Sequence, residues 1–237
     1  MSSSGLNVAQ LSYSYGAKAA LDDVSIRVGT GRFCALLGPN GAGKSTLFSL
    51  LTRLVTSPNG TIEIAGVDLA ASPRQALAKI GVVFQLPTLD LDLTVCRNLR
   101  YFAALHGYAG KEADDRILAA LERLEMRERA GERAKDLNGG HRRRTEIARA
   151  LIHDPAVLLL DEPTVGLDAL SRRSITDHVH DLCADRQMTV LWATHLVDEV
   201  RPSDDLVILH QGKVIADDRA SAIGGADLAA RFLELTA

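Results

Sequence analysis

Gly38-Pro39-Asn40-Gly41-Ala42-Gly43-Lys44-Ser45 is the stretch of this 237-residue chain that is most informative about its fold. The stretch matches the pattern of a phosphate-binding loop (P-loop), in which a first glycine is followed at fixed spacing by Gly-Lys-Ser. An apolar, strand-like run, Phe33–Leu37, stands directly before it, and a helix-like segment, residues 46–54, follows it. These flanks predict an α/β domain with a phosphate site at the end of a strand. A glycine turn that matches the pattern by chance is the competing interpretation, and both flanks disfavour it.

The loop has the residue types that phosphate binding needs. Glycines allow successive backbone N–H groups to turn toward phosphate oxygens, and the N-terminus of the following helix adds partial positive charge. Lys44 supplies a full positive charge, and the hydroxyl of Ser45 is placed to ligate magnesium. The residues predicted to bind the nucleotide here are Gly38, Pro39, Asn40, Gly41, Ala42, Gly43, Lys44, Ser45 and Thr46.

A second segment ends in two acidic residues. The apolar run at residues 157–160 is followed by Asp161 and Glu162. A buried strand that ends this way delivers both carboxylates to the edge of the sheet where the P-loop lies. We expect Asp161 to hold magnesium through water and Glu162 to act as the general base or to orient the attacking water. Taken alone, such a pair is as often a solvated strand end or a helix N-cap.

The composition indicates an ordinary globular protein. Apolar residues make up 46% of the chain, and the formal net charge of -3 disfavours general binding to nucleic acid. The three cysteines form no CxxC pair, which fits a reducing compartment. No apolar run approaches the roughly 18 residues of a membrane span, and no secretion signal is present. We therefore expect a cytoplasmic protein.

Residue patterning divides the chain into three regions. Short β-rich runs separated by Gly and Pro turns fill the first third. Residues 94–153 favour helix, with Thr94 and Asn138 as predicted N-caps. After them, apolar strands alternate with helical stretches, which is typical of a largely parallel sheet. We predict one domain, residues 1–237, with a catalytic core at 1–93 and 154–237 and a helical insert at 94–153.

A third motif adds a family resemblance. Leu137-Asn138-Gly139-Gly140-His141, here named the signature segment, precedes three arginines and a helix-like run, and it resembles the signature of ABC transporter ATP-binding subunits. The remaining landmarks of that family occur in the expected order: Tyr15 before the first predicted strands, Gln85, Gly166-Leu167-Asp168 and His195. The resemblance runs from about Leu6 to Ala216.

The resemblance implies a fold and an activity. The expected fold is α/β: a P-loop NTPase core with a mostly parallel sheet, an N-terminal antiparallel β region and a helical subdomain insert. The expected activity is hydrolysis of ATP to ADP and phosphate, with ATP and Mg²⁺ bound.

The resemblance also implies roles for single residues. Tyr15 would stack under the adenine ring, with Tyr13 as the competing candidate. Gln85 would touch magnesium and the attacking water, and His195 would hold the γ-phosphate and orient Glu162. The remaining nucleotide contacts would come from Asn138, Gly139, Gly140 and Asp168.

Partners follow from the same resemblance. The signature segment of one subunit would close over the ATP held by a second copy or a paired ATPase subunit. A separate transmembrane permease would bind at residues 86–93 and would hold the chain at the cytoplasmic face of the membrane. Leucine and aspartate alternate from Leu89 to Leu93, which suits a partly exposed protein contact, although a surface turn would explain the alternation nearly as well. Export is favoured over import, and the sequence does not name the cargo. No nucleic-acid partner is expected.

Two positions depart from the family pattern, and two other functions compete. Asn138 replaces the usual serine and His141 the usual glutamine. The Asn138 amide could donate to phosphate, or the side chain could only cap the helix. A soluble ABC ATPase of DNA repair or translation shares the nucleotide motifs, although such proteins resemble larger or tandem chains. A small-molecule P-loop kinase is disfavoured by the signature segment and His195.

Overall fold

The computed structural model describes residues 4–225 and 227–236, which form two sheets with helices around them. The strands are β1 (Ser4–Tyr15), β2 (Lys18–Gly29), β3 (Phe33–Leu37), β4 (Asn59–Ile64), β5 (Val67–Asp68), β6 (Ile80–Val83), β7 (Val157–Asp161), β8 (Thr189–Thr194), β9 (Asp205–His210) and β10 (Lys213–Arg219). The helices are α1 (Lys44–Leu51), α2 (Pro73–Leu77), α3 (Val95–Leu105), α4 (Gly110–Arg123), α5 (Gly139–Ala150), α6 (Ala169–Arg186), α7 (Ala220–Gly224) and α8 (Leu228–Thr236). The predicted domain limits, residues 1 and 237, lie outside the described residues.

The larger sheet has six strands in the order β10-β9-β3-β8-β7-β6. Five neighbouring strands pair in parallel, in the order β9, β3, β8, β7 and β6. The sixth strand, β10, pairs antiparallel with β9. Strands β3 and β7 are buried at every position because both faces of the sheet are covered. The predicted parallel α/β core is confirmed.

The smaller sheet, β2-β1-β4-β5, is antiparallel throughout, which confirms the expected N-terminal β region. The prediction that Tyr15 precedes the first strands is wrong, because Tyr15 is the last residue of β1 and pairs with Lys18. The alternation of apolar and polar residues in β1 is hard to recognise in the sequence, because the pairing register shifts between Val8 and Leu11. Within that interval Gln10 has a φ of 53°. Such a bulge interrupts the two-residue period that identifies a strand.

The helical region follows β6 and contains α3, α4 and α5. Both predicted caps are present: the Thr94 hydroxyl accepts from the backbone N–H of Arg97, and Asn138 Oδ1 accepts from that of His141. Leu99 and Ile147 of this region share one apolar cluster with the sheet, so the helices pack directly on the core. Within the described residues, no helix has both the length and the hydropathy to span a membrane.

The core lies in two layers, one on each face of the larger sheet. Phe33 and Leu37 of β3 pack with the helical region, whereas Cys34 and Leu36 pack with α1 and the smaller sheet. This division follows from the two-residue period of a strand. Because β3, β7 and β8 are parallel, their carboxyl ends meet at one edge, which brings together the segments that follow them.

Candidate functional site

A cleft of about 740 Å³ opens at this carboxyl edge, a volume within the usual range of small-molecule sites. Its lining comes from the P-loop, from the loops after β6, β7 and β8, and from the β1–β2 and β9–β10 turns. The lining residues are Tyr15, Lys18, Ala19, Ala20, Asn40, Gly41, Gly43, Lys44, Ser45, Thr46, Gln85, Glu162, Val165, His195, Gln211 and Gly212. Most of the predicted site residues therefore share one cleft.

The P-loop leaves the N-terminus of α1 open to this cleft. Gly43 is the N-cap of α1, has a φ of 113°, and provides no side-chain cap. A β-carbon at Gly43 would stand 2.7 Å from the carbonyl oxygen of Ala20, and one at Gly38 would stand 2.4 Å from that of Leu209. Only glycine fits these positions. The first N–H groups of α1 remain available to an anion.

Lys44 lies buried between the P-loop and the opposite wall of the cleft. Its Nζ donates to the carbonyl oxygens of Gly38 at 2.7 Å and Pro39 at 3.2 Å. The same Nζ lies 3.2 Å from Oε1 of Glu162. A full positive charge is thus held inside the loop that carries the uncapped helix N-terminus.

Glu162 is where the three predicted catalytic side chains meet. Its Oε2 accepts a hydrogen bond from Gln85 Nε2 at 3.3 Å and lies 3.3 Å from His195 Nδ1. Glu162 has a φ of 47°, which few residues with a β-carbon adopt, and its N–H donates to the carbonyl of Ala193 at 3.0 Å. This bond holds the turn after β7 against β8, so that the buried carboxylate faces the cleft.

Asp161 lies beside this group and fits a divalent cation. Burial raises the pKa of its carboxyl group above the ordinary value, and the negative charge of Glu162 adds to this, while the Ser45 hydroxyl and the Lys44 charge oppose it. Its Oδ1 is buried and has no hydrogen-bond partner among the described residues. A carboxylate, a hydroxyl and the amide of Gln85 are the hard oxygen donors that Mg²⁺ prefers.

The structure separates the two tyrosine candidates. Tyr15 is exposed and lines the cleft. Tyr13 packs partly buried against the core of the smaller sheet, and its ring meets that of Tyr15 edge-on with 4.9 Å between centroids. Of the two tyrosines, Tyr15 is the one that lines the cleft. Its stacking against adenine stays a prediction.

The signature segment and Asp168 do not line the cleft. A β-carbon at Gly139 would stand 2.9 Å from Leu167 Cδ2, and one at Gly140 would stand 2.9 Å from Ser171 Oγ, so α5 begins against the start of α6. Asp168 caps α6 by accepting from the N–H of Ser171 at 2.9 Å. These residues form the adjoining N-termini of α5 and α6, which lie outside the cleft that the P-loop of the same chain lines.

His141 replaces the usual glutamine of the signature segment, and its surroundings favour the neutral ring. Partial burial lowers the pKa of its imidazole below the ordinary value, and the positive charges of Arg129 and Arg144 lower it further. A positive charge on this ring is therefore less favourable at the start of α5 than on a histidine in water.

Sequence reasoning missed three residues near the site. Lys18 lines the cleft from the start of β2 and Gln211 from the β9–β10 turn, and neither belongs to a motif. Glu199 is buried behind the site, where it accepts from Trp192 Nε1 at 3.0 Å and from the Thr164 hydroxyl. It therefore joins the loop after β7, which carries Glu162, to the end of β8. The sequence signal that could have identified Glu199 is an acidic residue in an apolar segment, four positions after His195.

The predicted contact loop, residues 86–93, is only partly exposed. Leu86 and Leu91 are 75% and 44% exposed, but Leu89 is only 8% exposed, so its predicted place in a partner contact is wrong. The loop folds back on α3, because the N–H of Asp90 donates to Asn98 Oδ1 and Asn98 Nδ2 donates to the Asp90 carbonyl, at 2.8 and 2.9 Å. This pairing turns Leu89 inward.

Comparison with known proteins adds independent information. The family model described as ABC transporter matches residues 21–165. Nod factor export ATP-binding protein I of Rhizobium johnstonii (strain DSM 114642 / LMG 32736 / 3841) is 39% identical over 219 residues, which cover 92% of this chain and 70% of that protein.

Two solved structures are similar in fold. The structure of cbiO1 from Clostridium perfringens, part of the ABC transporter complex cbiONQ, has a TM-score of 0.88 at 27% identity and covers 98% of this chain and 95% of that one. The dimeric structure of MJ0796, a bacterial ABC transporter cassette, has a TM-score of 0.80 at 26% identity and covers 90% of this chain and 98% of that one.

Proposed function

Since the chain belongs to the ABC transporter family and is an ATP-binding, ATP-hydrolysing subunit, we propose which residues perform the hydrolysis and which surfaces transmit it. The observation that carries the proposal is the carboxylate of Glu162, which faces Lys44, Gln85 and His195 at 3.2 to 3.3 Å.

In the proposed reaction, Lys44 and the first N–H groups of α1 bind the β- and γ-phosphates. Glu162 accepts a proton from water as the oxygen of that water bonds to the γ-phosphorus and the bond to ADP breaks. Gln85 and His195 orient the Glu162 carboxylate for this transfer.

Ser45, Gln85 and, through water, Asp161 would hold Mg²⁺ in this proposal. When bound, the ion neutralises charge on the phosphate oxygens. The buried, unpartnered Oδ1 of Asp161 supports this assignment.

We propose that two copies, or this chain and a paired ATPase subunit, close around ATP. The signature segment carries a pair of glycines at the N-terminus of α5, which suits an anion, yet it lies outside the cleft of its own chain. The dimeric cassette similar to this chain supports such pairing. ATP bound between the P-loop of one subunit and the signature segment of the other would shift the pair toward the closed state.

Substitutions of Asn138 test whether the signature segment binds the ATP of the paired subunit. Its Oδ1 already caps α5 at 2.8 Å from the His141 nitrogen, which leaves the NH₂ group to donate to a phosphate. We expect Asn138→Asp to keep the cap and the melting temperature but to lower ATPase activity about 100-fold, because it places a negative charge against the γ-phosphate. Asn138→Ser should retain activity. A stable Asn138→Asp variant with the wild-type rate would reduce Asn138 to a helix cap.

The permease contact is proposed at a docking face made of Leu86, Leu91, Tyr101 and Leu105. These large apolar side chains of the loop and of α3 are exposed on neighbouring elements. Large apolar side chains that form one exposed patch mark sites of protein interaction, and we propose that these four form such a patch. Through this face the chain would sit peripherally at the cytoplasmic side of the membrane.

Serine substitutions test the docking face. Leu86→Ser with Leu91→Ser should weaken co-purification with the cognate permease and uncouple transport, while the isolated subunit hydrolyses ATP at nearly the wild-type rate. Leu233→Ser, at another exposed leucine, is the control and should change neither property. Leu89→Ser should instead lower the melting temperature, because Leu89 is buried. Unchanged association of the Leu86/Leu91 variant would reject this face.

Export is the proposed direction, supported by the 39% identity to a Nod factor export ATP-binding protein. The second candidate, a soluble ABC ATPase acting on nucleic acid, rests on the Arg142, Arg143 and Arg144 run. All three guanidinium groups bond within the chain, which weakens that reading. Stimulation of the ATPase by the reconstituted permease rather than by DNA or RNA would decide between them.

A further inference from the structure

The three arginines that follow the signature segment point in three directions. Arg142 donates to the carbonyl oxygen of Ala134 at 2.9 Å, and Arg144 pairs with Glu125 at 2.9 Å. Arg143 extends to the other side of α5 and reaches the loop after β6, which carries Gln85. The basic run is therefore not a uniform surface, and one member contacts the catalytic region.

Arg143 holds the backbone of that loop at two successive residues. Its guanidinium donates to the carbonyl oxygens of Phe84 at 2.7 Å and Gln85 at 2.9 Å. It also pairs with Glu146 Oε2 at 2.8 Å, and its side chain is only 7% exposed. A planar guanidinium that bonds two consecutive carbonyls fixes the direction of the chain as well as its distance.

Glu146 and Arg149 hold the other end of the same loop. Glu146 Oε1 accepts from the N–H of Thr88 at 2.6 Å and from its hydroxyl at 3.1 Å. Arg149 donates to the carbonyl of Thr88 at 3.1 Å and to its hydroxyl at 2.6 Å. Together Arg143, Glu146 and Arg149 form the loop clamp, which binds both ends of residues 85–88 to one face of α5.

Stability alone does not account for the loop clamp. The side chain of Glu146 is 2% exposed, between two buried guanidinium groups. The free energy needed to remove such charges from water is about as large as the attraction between them. Well-packed apolar side chains would therefore stabilise α5 equally well. What the charged groups add is directional bonding to a loop whose own side chains from Gln85 to Thr88 are exposed.

We propose that Arg143 and Glu146 are positioning residues for ATP hydrolysis, which hold the Gln85 amide in register with the Glu162 carboxylate. The inference rests on the proposed roles of Gln85 and the signature segment. Because α5 begins at Gly139, the loop clamp makes the signature segment and Gln85 parts of one rigid unit. Closure of the signature segment over the ATP of the paired subunit therefore sets the position of Gln85 in this chain's own cleft.

Arg143→Lys is the first test, because it keeps a positive charge beside Glu146 but replaces the two separate nitrogens that bond the Phe84 and Gln85 carbonyls with a single, shorter-reaching nitrogen. We expect kcat for ATP to fall about 10- to 100-fold, with a KM within about two-fold of wild type, since the P-loop is untouched. Arg144→Gln is the matched control: it removes the contacts to Glu125 and Ser174 and should lower the melting temperature without lowering kcat.

Thr88→Val tests the loop clamp from the loop side with a side chain of nearly the same shape, and a thermal melt shows whether the variant is folded. It removes the hydroxyl that bonds both Glu146 and Arg149, and it should lower kcat as Arg143→Lys does. Folded Arg143→Lys and Thr88→Val variants with wild-type kcat would overturn the inference.

A double-mutant cycle separates positioning from a general structural effect. If Arg143 acts through Gln85, Arg143→Lys should cause no further loss of kcat in a Gln85→Ala background. Losses that multiply independently would overturn the inference while leaving the role of Gln85 intact. A Gln85→Ala variant with the wild-type kcat would instead overturn the proposed function of Gln85, and this inference with it.

Discussion

Glu162→Gln is expected to lower kcat for ATP hydrolysis by about 10²- to 10⁴-fold while leaving ATP binding nearly unchanged. The amide preserves the shape of the side chain, but it cannot accept the proton of the attacking water. The amide oxygen can face Lys44, and the NH₂ group can donate to the side-chain oxygen of Gln85 once the Gln85 amide turns over, because its NH₂ group faces Glu162 in the wild type. The rate of phosphate release and the affinity for ATP measure the two effects separately.

The same variant should accumulate as an ATP-bound pair, because closure proceeds and the hydrolysis that reverses it does not. Size-exclusion chromatography with magnesium and ATP detects the pair. Asp204→Asn is the control, since Asp204 is also a buried carboxylate but bonds to His180 away from the cleft. The Asp204→Asn variant should have a lower melting temperature than the wild type but the same rate of ATP hydrolysis. A Glu162→Gln variant that stays monomeric and hydrolyses ATP normally would contradict both the base role and the pairing.

Lys44→Ala is expected to abolish measurable turnover, with a loss of at least about 10²- to 10³-fold and weakened ATP binding. The substitution removes the full positive charge that the P-loop holds inside a buried pocket. It also leaves the buried Glu162 carboxylate without its cation, so the melting temperature should fall as well. Nucleotide titration and steady-state ATPase assays measure the loss.

A second variant distinguishes loss of phosphate binding from loss of stability. Lys44→Ala combined with Glu162→Gln removes the unpaired charge and should recover part of the melting temperature without recovering ATP binding. Wild-type ATP affinity in Lys44→Ala would contradict the P-loop assignment.

Local patterns predicted much of this site. The P-loop from Gly38 to Ser45 is recognisable because its glycine spacing and its flanking strand and helix are all contiguous in sequence. Asp161 and Glu162 follow an apolar run directly, and the caps Thr94 and Asn138 act on backbone groups three residues away. The assignment of chemical roles to these residues remains a prediction for the experiments above.

Distant contacts explain what was missed. The β1 strand was not recognised because bulges break its alternation, which only pairing with β2 and β4 makes regular. Leu89 shares its local pattern with Leu91, and it is buried because Asn98 of α3 turns the loop inward. Glu199 has no motif of its own.

The P-loop, the acidic strand end, the α/β class and the order of the family landmarks could be read from the amino-acid sequence, because each depends on residues close together in the chain or on their order along it. Three features could be seen only in the folded chain. These are the side chains that meet at Glu162, the place of the signature segment outside the cleft of its own chain, and the contact of the Gln85 loop with Arg143 rather than with Arg142 or Arg144. The reason is geometric: the parallel sheet brings together the ends of strands far apart in sequence, and the rotation of a helix gives three consecutive arginines three different surroundings.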